Sequence, residues 1–152
     1  APRLVLLDRV TDPHNVGAIV RSANAMGAAA VIVPNRHSAK DSPIIAKAAA
    51  GAMEDTPIIE EGNLAKAIEK LKEQNFWIVG LAGDTDQTMQ NVDLGGKIAL
   101  VMGSEGSGLR RLIREKCDFV AKLPMVGTVE SLNVSVATGM ALYEVRRQRG
   151  GK

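Results

Sequence analysis

Apolar residues along this chain follow two patterns: short compact runs and longer stretches with helical spacing. Each compact run leads into a polar or glycine-containing turn, as buried strands do. The runs are residues 3–8, 30–33, 76–83, 98–102 and 119–123. Strands that alternate with helices predict a single α/β domain with a mostly parallel sheet and helices on both faces. Ligands of such sheets bind beyond the carboxyl ends of the strands.

Local signals set the expected boundaries of the helices. Asp12, Pro13 and Asn15 are start signals for a first helix that should end at Gly27. The segments between the first helix and the middle of the chain are predicted as an alanine-rich helix at 42–52, a short strand at 56–59 and a solvated helix at 63–75.

The closing helix is expected to begin near Ser131 or Asn133. Val136, Met140 and Tyr143 recur at helical spacing within it and predict one apolar stripe.

Three strand ends are expected to carry loops to one place. The run 98–102 leads into GSEGSG, 119–123 leads into PMVGTVESLN, and 76–83 leads into a third polar loop. Backbone amides and carbonyls gathered there outline a ligand site. The glycine order G-x-x-G-x-G is the reverse of the dinucleotide fingerprint, and no Lys-Ser/Thr follows it as in a P-loop, so neither NAD nor ATP is indicated.

Composition narrows the class of protein. The chain has 152 residues, 45% of them apolar, which suits one domain with a sizeable core. Cys117 is the only cysteine, and with His14 and His37 it makes no metal-ligand cluster, so neither a disulfide nor a metal is expected. No apolar run approaches the ~20 residues that span a bilayer. A soluble, cytoplasmic protein is expected.

Charge and aromatic content argue against a stand-alone RNA-binding module. The net charge is only +2, and aromatic residues make up 3% of the chain, whereas single-strand binding modules need stacking platforms. Basic residues do cluster after the first glycine loop and at the tail, where they could equally complement helix C-termini.

Five polar residues stand at the turns of otherwise apolar segments: Asn15, Arg21, Glu105, Ser131 and Asn133. Taken singly, the asparagines and the serine could be helix caps, Glu105 a charge at a helix N-terminus, and Arg21 a surface partner of an acid. No G-x-S-x-G elbow accompanies the serines, so a serine hydrolase is disfavoured. The order in which these residues occur is more informative than any one of them.

Three segments that contain them resemble a known family. Residues 15–23 (NVGAIVRSA), 100–109 (LVMGSEGSGL) and 123–137 (LPMVGTVESLNVSVA) resemble the three ordered motifs of the SpoU (TrmH) branch of the SPOUT RNA methyltransferases. Within that branch, the residues of the first and third motifs are most similar to those of enzymes that methylate a guanosine of bacterial 23S rRNA.

The resemblance implies a fold, a cofactor and an assembly. It implies a deep C-terminal trefoil knot, which no periodicity could indicate, and S-adenosylmethionine as methyl donor to a ribose 2′-hydroxyl of structured RNA. Two subunits are expected to pair and complete each other's site. The cofactor contacts carried over from the family are Leu81, Gly83, Gly103, Leu123, Met125 and Leu132.

The same resemblance assigns roles to the polar residues. Arg21 matches the family's catalytic arginine, Asn15 supports it, and Glu105, Ser131 and Asn133 match the polar residues of the second and third motifs. Because a guanidinium normally stays protonated, we interpret Arg21 as a clamp on the adjacent RNA phosphate that orients the attacking hydroxyl, rather than as a free base.

Two questions stay open at this point. Family members that act on ribosomal RNA usually carry a small N-terminal RNA-binding domain, and this chain begins directly at the first strand, so that domain is expected to be absent from it. The alternatives to an rRNA enzyme are a tRNA 2′-O-methyltransferase and a catalytically silent RNA-binding module of the same fold.

Overall fold

The computed structural model describes residues 1–34, 40–129 and 131–149. His37 and the end of the basic tail, which entered the composition arguments, lie outside these ranges. The elements in chain order are β1 (Arg3–Asp8), α1 (Pro13–Ala25), β2 (Ala30–Val33), α2 (Ser42–Ala49), β3 (Ile58–Glu60), α3 (Leu64–Glu73), β4 (Trp77–Leu81), β5 (Ile98–Gly103), α4 (Arg111–Lys116), β6 (Phe119–Ala121) and α5 (Val134–Gln148), with short 3₁₀ helices at Ala52–Glu54 and Met89–Asn91.

The six strands form one sheet in the order β3-β2-β1-β5-β4-β6, and every neighbouring pair among them is parallel. The predicted parallel α/β sheet is therefore confirmed. β2 and β3 lie on one side of β1, and β5, β4 and β6 lie on the other side. The direction of strand addition therefore reverses between β1 and β5. In sheets of this kind the crevice beyond the strand ends near such a point binds ligands.

Helices cover both faces of the sheet. One apolar core packs α1, α2 and α5 against the sheet and includes Val5, Ile19 and Leu142. The other lies under α3 and α4 and includes Leu6, Ile68 and Ile113. Successive strand residues such as Val5 and Leu6 enter opposite cores because side chains alternate across a strand.

The first helix begins and ends close to the predicted positions. Its N-cap is Asp12, whose carboxylate accepts from the backbone N–H groups of His14 at 2.8 Å and Asn15 at 3.3 Å, with Pro13 in the first turn. The helix ends at Ala25, and Gly27 has φ +80°, a conformation that favours glycine. Asn15 is thus inside the first turn and is not the cap.

Some boundaries differ from the predictions, whereas the predicted apolar stripe of α5 is present. The strand expected at 56–59 is Ile58–Glu60, since Pro57 has no N–H with which to join a sheet ladder. The alanine-rich helix ends at Ala49, and Ala50 has a left-handed conformation with φ 53°. The stripe of Val136, Met140 and Tyr143 exists but is exposed by 47%, 49% and 60%, while the opposite face of α5 enters the core.

Within the described residues, no helix combines the length and the apolar character needed to cross a membrane.

Candidate active site

A cavity of about 370 Å³ lies beyond the carboxyl ends of β4, β5 and β6. We call it the strand-end cavity. Its wall includes all six residues expected to contact a cofactor: Leu81, Gly83, Gly103, Leu123, Met125 and Leu132. Glu105 and Ser131 also line it. The strand ends therefore gather the two loops and the third polar loop at one place, as the sequence predicted.

The glycine loop that follows β5 forms one wall of the cavity. A Cβ at Gly103 would lie 2.3 Å from the carbonyl carbon of Gly108, so no larger residue fits while the backbone is in this position. Gly106 and Gly108 have φ values of +82° and +66°, which other residues rarely adopt. The loop closes with a hydrogen bond from the Gly108 N–H to the Ser104 carbonyl at 2.8 Å.

A polar cluster joins this loop to the starts of α1 and α5. The amide of Asn133 donates to the Glu105 carboxylate at 3.1 Å and to the side-chain oxygen of Asn15 at 3.3 Å. Glu105 also accepts from the backbone N–H of Val134 at 3.2 Å. Three of the five polar residues from the three motifs are therefore in contact.

Asn133 also has the structural role that the sequence left open. It is the N-cap of α5, and its side-chain oxygen accepts from the backbone N–H groups of Ser135 at 2.9 Å and Val136 at 3.3 Å. Glu105 approaches the same helix N-terminus, where a carboxylate is favourable. Ser131 lies in the cavity wall and is not a cap.

Arg21 lies outside the strand-end cavity. It is an exposed residue of α1 and is absent from the wall that the described residues form. Its neighbour Ser22 lines a second, more open groove of about 540 Å³ between α1 and α5, together with Ala18, Ser135, Val136, Gly139, Met140 and Tyr143. We call this surface the α1–α5 groove. It contains the exposed apolar stripe of α5.

Several residues of the cavity were not predicted. Met102, Ser104, Gly106, Gly108, Lys122, Val134 and Ala137 line it as well. Most of them are next in sequence to predicted contacts, so their position at the ends of the strands could have indicated them. Lys122 follows β6 and is bridged to Thr88 of the loop after β4, a pairing between distant segments that no local pattern indicates.

An ion pair with a buried carboxylate adjoins the glycine loop and was not predicted. Asp8 is the last residue of β1, and its side chain is fully buried. It accepts from the backbone N–H and the Nε of Arg110, both at 2.7 Å.

Asp84 and Cys117 have pKa values displaced from their ordinary values. The Arg114 guanidinium, 2.7 Å from Asp84, holds the pKa of that carboxyl below its ordinary value; Asp84 adjoins Gly83. Burial raises the pKa of the Cys117 thiol to about 11, so little of the reactive thiolate forms near neutral pH. In the described parts of the chain, no three His, Cys, Asp or Glu side chains are grouped to hold a metal ion.

A parallel α/β sheet with a ligand-sized cavity at its strand ends defines a nucleotide- or cofactor-binding class of protein. Comparison with known proteins defines the family. The model of the SpoU rRNA Methylase family matches residues 2–143. This chain belongs to that family.

Curated relatives share about half of their aligned residues with it. The 23S rRNA (guanosine-2′-O-)-methyltransferases RlmB of Pseudomonas putida and Escherichia coli K12 are each 53% identical over 148 residues. The alignments cover 97% of this chain but only 60% and 61% of those proteins. The chain thus spans about three fifths of the length of the relatives it matches.

Solved structures of the family have the same fold. The SpoU methyltransferase AviRb of Streptomyces viridochromogenes, in complex with the cofactor AdoMet, matches with a TM-score of 0.89 at 29% identity, over 98% of this chain and 61% of that one. The TrmH/SpoU tRNA modifying enzyme of A. aeolicus matches with a TM-score of 0.85 at 32% identity, over 97% and 75%.

Proposed function

We propose that this chain catalyses transfer of a methyl group from S-adenosylmethionine to a ribose 2′-hydroxyl of ribosomal RNA, a guanosine of 23S rRNA. One observation carries the proposal. The strand-end cavity contains all six expected cofactor contacts and adjoins a cluster of motif residues, Asn15, Glu105 and Asn133. The 53% identical relatives are 23S rRNA (guanosine-2′-O-)-methyltransferases, which supports the choice of RNA.

The cavity suits the cofactor in size and in chemistry. Its volume of about 370 Å³ lies in the ~300–1,000 Å³ range of small-molecule sites. Leu81, Leu123 and Leu132 offer apolar surface for an adenine ring, and a Cβ at Gly83 would meet no protein atom within 4 Å, so there is open space beside this backbone. The Glu105 carboxylate provides negative charge for a positively charged ligand. S-adenosylmethionine supplies a methyl group already activated on a sulfonium sulfur.

The residues of this chain have to align the acceptor and ease away its proton. A ribose hydroxyl is a weak nucleophile with a high pKa, so orientation is the main contribution the protein can make. Glu105 lines the cavity, and its 3.1 Å hydrogen bond from Asn133 and its contact with the start of α5 hold it there. In this proposal Glu105, Asn133 and Ser131 orient the ribose.

Arg21 would contribute the phosphate clamp. An arginine binds a phosphate through two parallel hydrogen bonds, and Arg21 is exposed, with no described residue pairing it. Since it does not line the cavity of its own chain, we propose that the Arg21 of a second copy completes each site.

The α1–α5 groove is the surface that would bring two copies together. Its exposed residues Val136, Met140 and Tyr143 form an apolar stripe on α5, and Ser22 of the groove directly follows Arg21 in α1. An isologous contact through this groove would bury the stripe in both chains. A dimer by light scattering that Met140→Glu converts to monomers would support this. Leu112→Glu, at a 55% exposed position on α4, should leave the dimer intact. A monomeric wild type would contradict the shared site.

Two further features remain proposals. The trefoil knot is supported by the family's fold. A ribosomal RNA target would make the protein cytoplasmic.

The direct test is incubation with labelled S-adenosylmethionine and undermethylated 23S rRNA, with tRNA in parallel, followed by mapping of the modified nucleotide. A 2′-O-methylguanosine in 23S rRNA is the expected product. Label in tRNA alone would favour the tRNA alternative.

Cofactor binding is measured separately by calorimetry. A chain that binds no S-adenosylmethionine would overturn the enzyme assignment. Binding without transfer to either RNA would favour the silent RNA-binding module.

A further inference from the structure

Both ends of the glycine loop lie against one residue, Asp8: the start pairs with its strand, and the end with its buried side chain. Asp8 pairs with Gly103 in the parallel register of β1 and β5, so the loop starts beside Asp8. The loop ends where the backbone N–H of Arg110 donates to one carboxylate oxygen of Asp8 and its Nε donates to the other, each at 2.7 Å.

The loop between these two ends is part of the cavity wall. Gly103, Ser104, Glu105, Gly106 and Gly108 all line the cavity. Glu105 then accepts from Asn133 and from the N–H of Val134. A displacement of the loop would therefore alter both the cavity and the polar cluster.

Arg111, which follows Arg110 in the chain, is much more exposed to solvent. The Asp8 side chain is completely buried and the Arg110 side chain is 41% exposed, whereas Arg111 is 93% exposed and pairs with Glu115 of its own helix. Removing one partner of a buried ion pair leaves an uncompensated charge, while exposed pairs contribute little. The two arginines form a natural matched pair for experiment.

We propose that Asp8 and Arg110 are positioning residues that hold the glycine loop in its cofactor-binding conformation. This inference rests on the proposed function of the cavity. Preorganisation of a binding loop lowers the cost of ordering it when the ligand arrives. Saturating cofactor restores the same loop conformation, so loss of the pair raises the KM for S-adenosylmethionine more than it lowers kcat.

The test compares Arg110→Ala with Arg111→Ala. Calorimetry at a temperature where circular dichroism shows both variants folded should give a cofactor Kd about tenfold weaker for Arg110→Ala. Arg111→Ala should bind as the wild type does. A merely structural pair would reduce the amount of active protein, and thus the apparent kcat, at unchanged Kd and KM.

Arg110→Lys keeps the backbone hydrogen bond and the positive charge but cannot reproduce the Nε contact. It should bind cofactor with intermediate affinity, and it replaces Arg110→Ala if that variant does not fold. Wild-type Kd and KM in a folded Arg110 variant would overturn the inference while leaving the proposed function intact. Failure of the wild type itself to bind S-adenosylmethionine would overturn both.

Discussion

The strand-end cavity and the α1–α5 groove differ in how far a single chain completes them. Backbone of the glycine loop shapes the cavity, and within the same chain its wall residue Glu105 accepts hydrogen bonds from Asn133 and from the Val134 N–H. The groove presents Val136, Met140 and Tyr143 to solvent. Soluble proteins rarely expose contiguous apolar surface without a partner for it. This difference agrees with the proposal that one chain builds the cofactor site, while a second copy covers the groove and completes the site with its Arg21.

Replacing Arg21 should have the largest effect. We expect Arg21→Ala to lower the rate of methyl transfer by about 100-fold, because a lost alignment contact acts on the reacting geometry. Arg21→Lys should recover little, because an ammonium cannot bind a phosphate through two parallel bonds. Cofactor affinity, measured by calorimetry, should stay at the wild-type value. Near wild-type turnover in either variant, with unchanged RNA binding, would remove Arg21 from the mechanism.

Gly103→Ala should damage the cavity through its backbone. The new Cβ would lie 2.3 Å from the Gly108 carbonyl carbon and 2.4 Å from the Leu109 nitrogen. Overpacking of this kind costs about 1–3 kcal/mol, so the free energy of unfolding and the cofactor affinity should both fall. Gly127→Ala is the matched control, since its Cβ would meet no protein atom within 4 Å. Equal behaviour of the two variants would contradict the close approach of strand and loop.

Asn133→Ala should have a smaller effect on stability and a distinct effect on the site. The loss of an N-cap costs about 1 kcal/mol, which urea denaturation can measure. The 3.1 Å contact with Glu105 disappears as well, so the rate of transfer should fall at unchanged cofactor affinity. Asn133→Asp keeps an acceptor for the cap but places a carboxylate beside Glu105. If Asn133→Asp regains the stability but not the rate, the capping role and the role in the site are separate. If it regains both, the role in the site is refuted.

The smallest expected effect concerns Asp84 and Arg114 beside the cavity. The Arg114 hydrogen bond and charge lower the pKa of Asp84 from its ordinary value of 3.8. Stabilisation from the pair is therefore present above that ordinary value and is lost as the pH falls through the lowered pKa. The wild type should be slightly more stable than Asp84→Asn at neutral pH, and the difference should vanish in acid. A difference that is independent of pH would contradict this assignment.

Much of the fold followed from local pattern. Apolar runs located the strands because a parallel sheet buried on both faces needs nearly continuous apolar residues. Asp12 and Gly27 placed the first helix to within two residues of its observed ends, since caps act within a few residues of the chain. The order of the strands in the sheet depends on packing between distant segments, and no local signal contains it.

The candidate site was predictable to a different extent. The cofactor contacts came from the resemblance to the family. They lie together because the loops that contain them follow neighbouring parallel strands. Asp8 could not be recognised as a buried partner of Arg110, because 102 positions separate them in sequence. The periodicity of α5 revealed its apolar stripe but not which face would meet the sheet, because that helix has apolar residues on both sides.

Mixing two variants that are each impaired in methyl transfer tests the shared site most directly. One partner is Arg21→Ala, with an intact cavity, and the other is Gly103→Ala, with an intact Arg21. If each active site takes its cavity from one chain and Arg21 from the other, mixed dimers contain one complete site, and methyl transfer should reappear on mixing. Mixing either variant with itself should give no gain. Failure of a verified mixed dimer to regain any activity would contradict a site built from two chains.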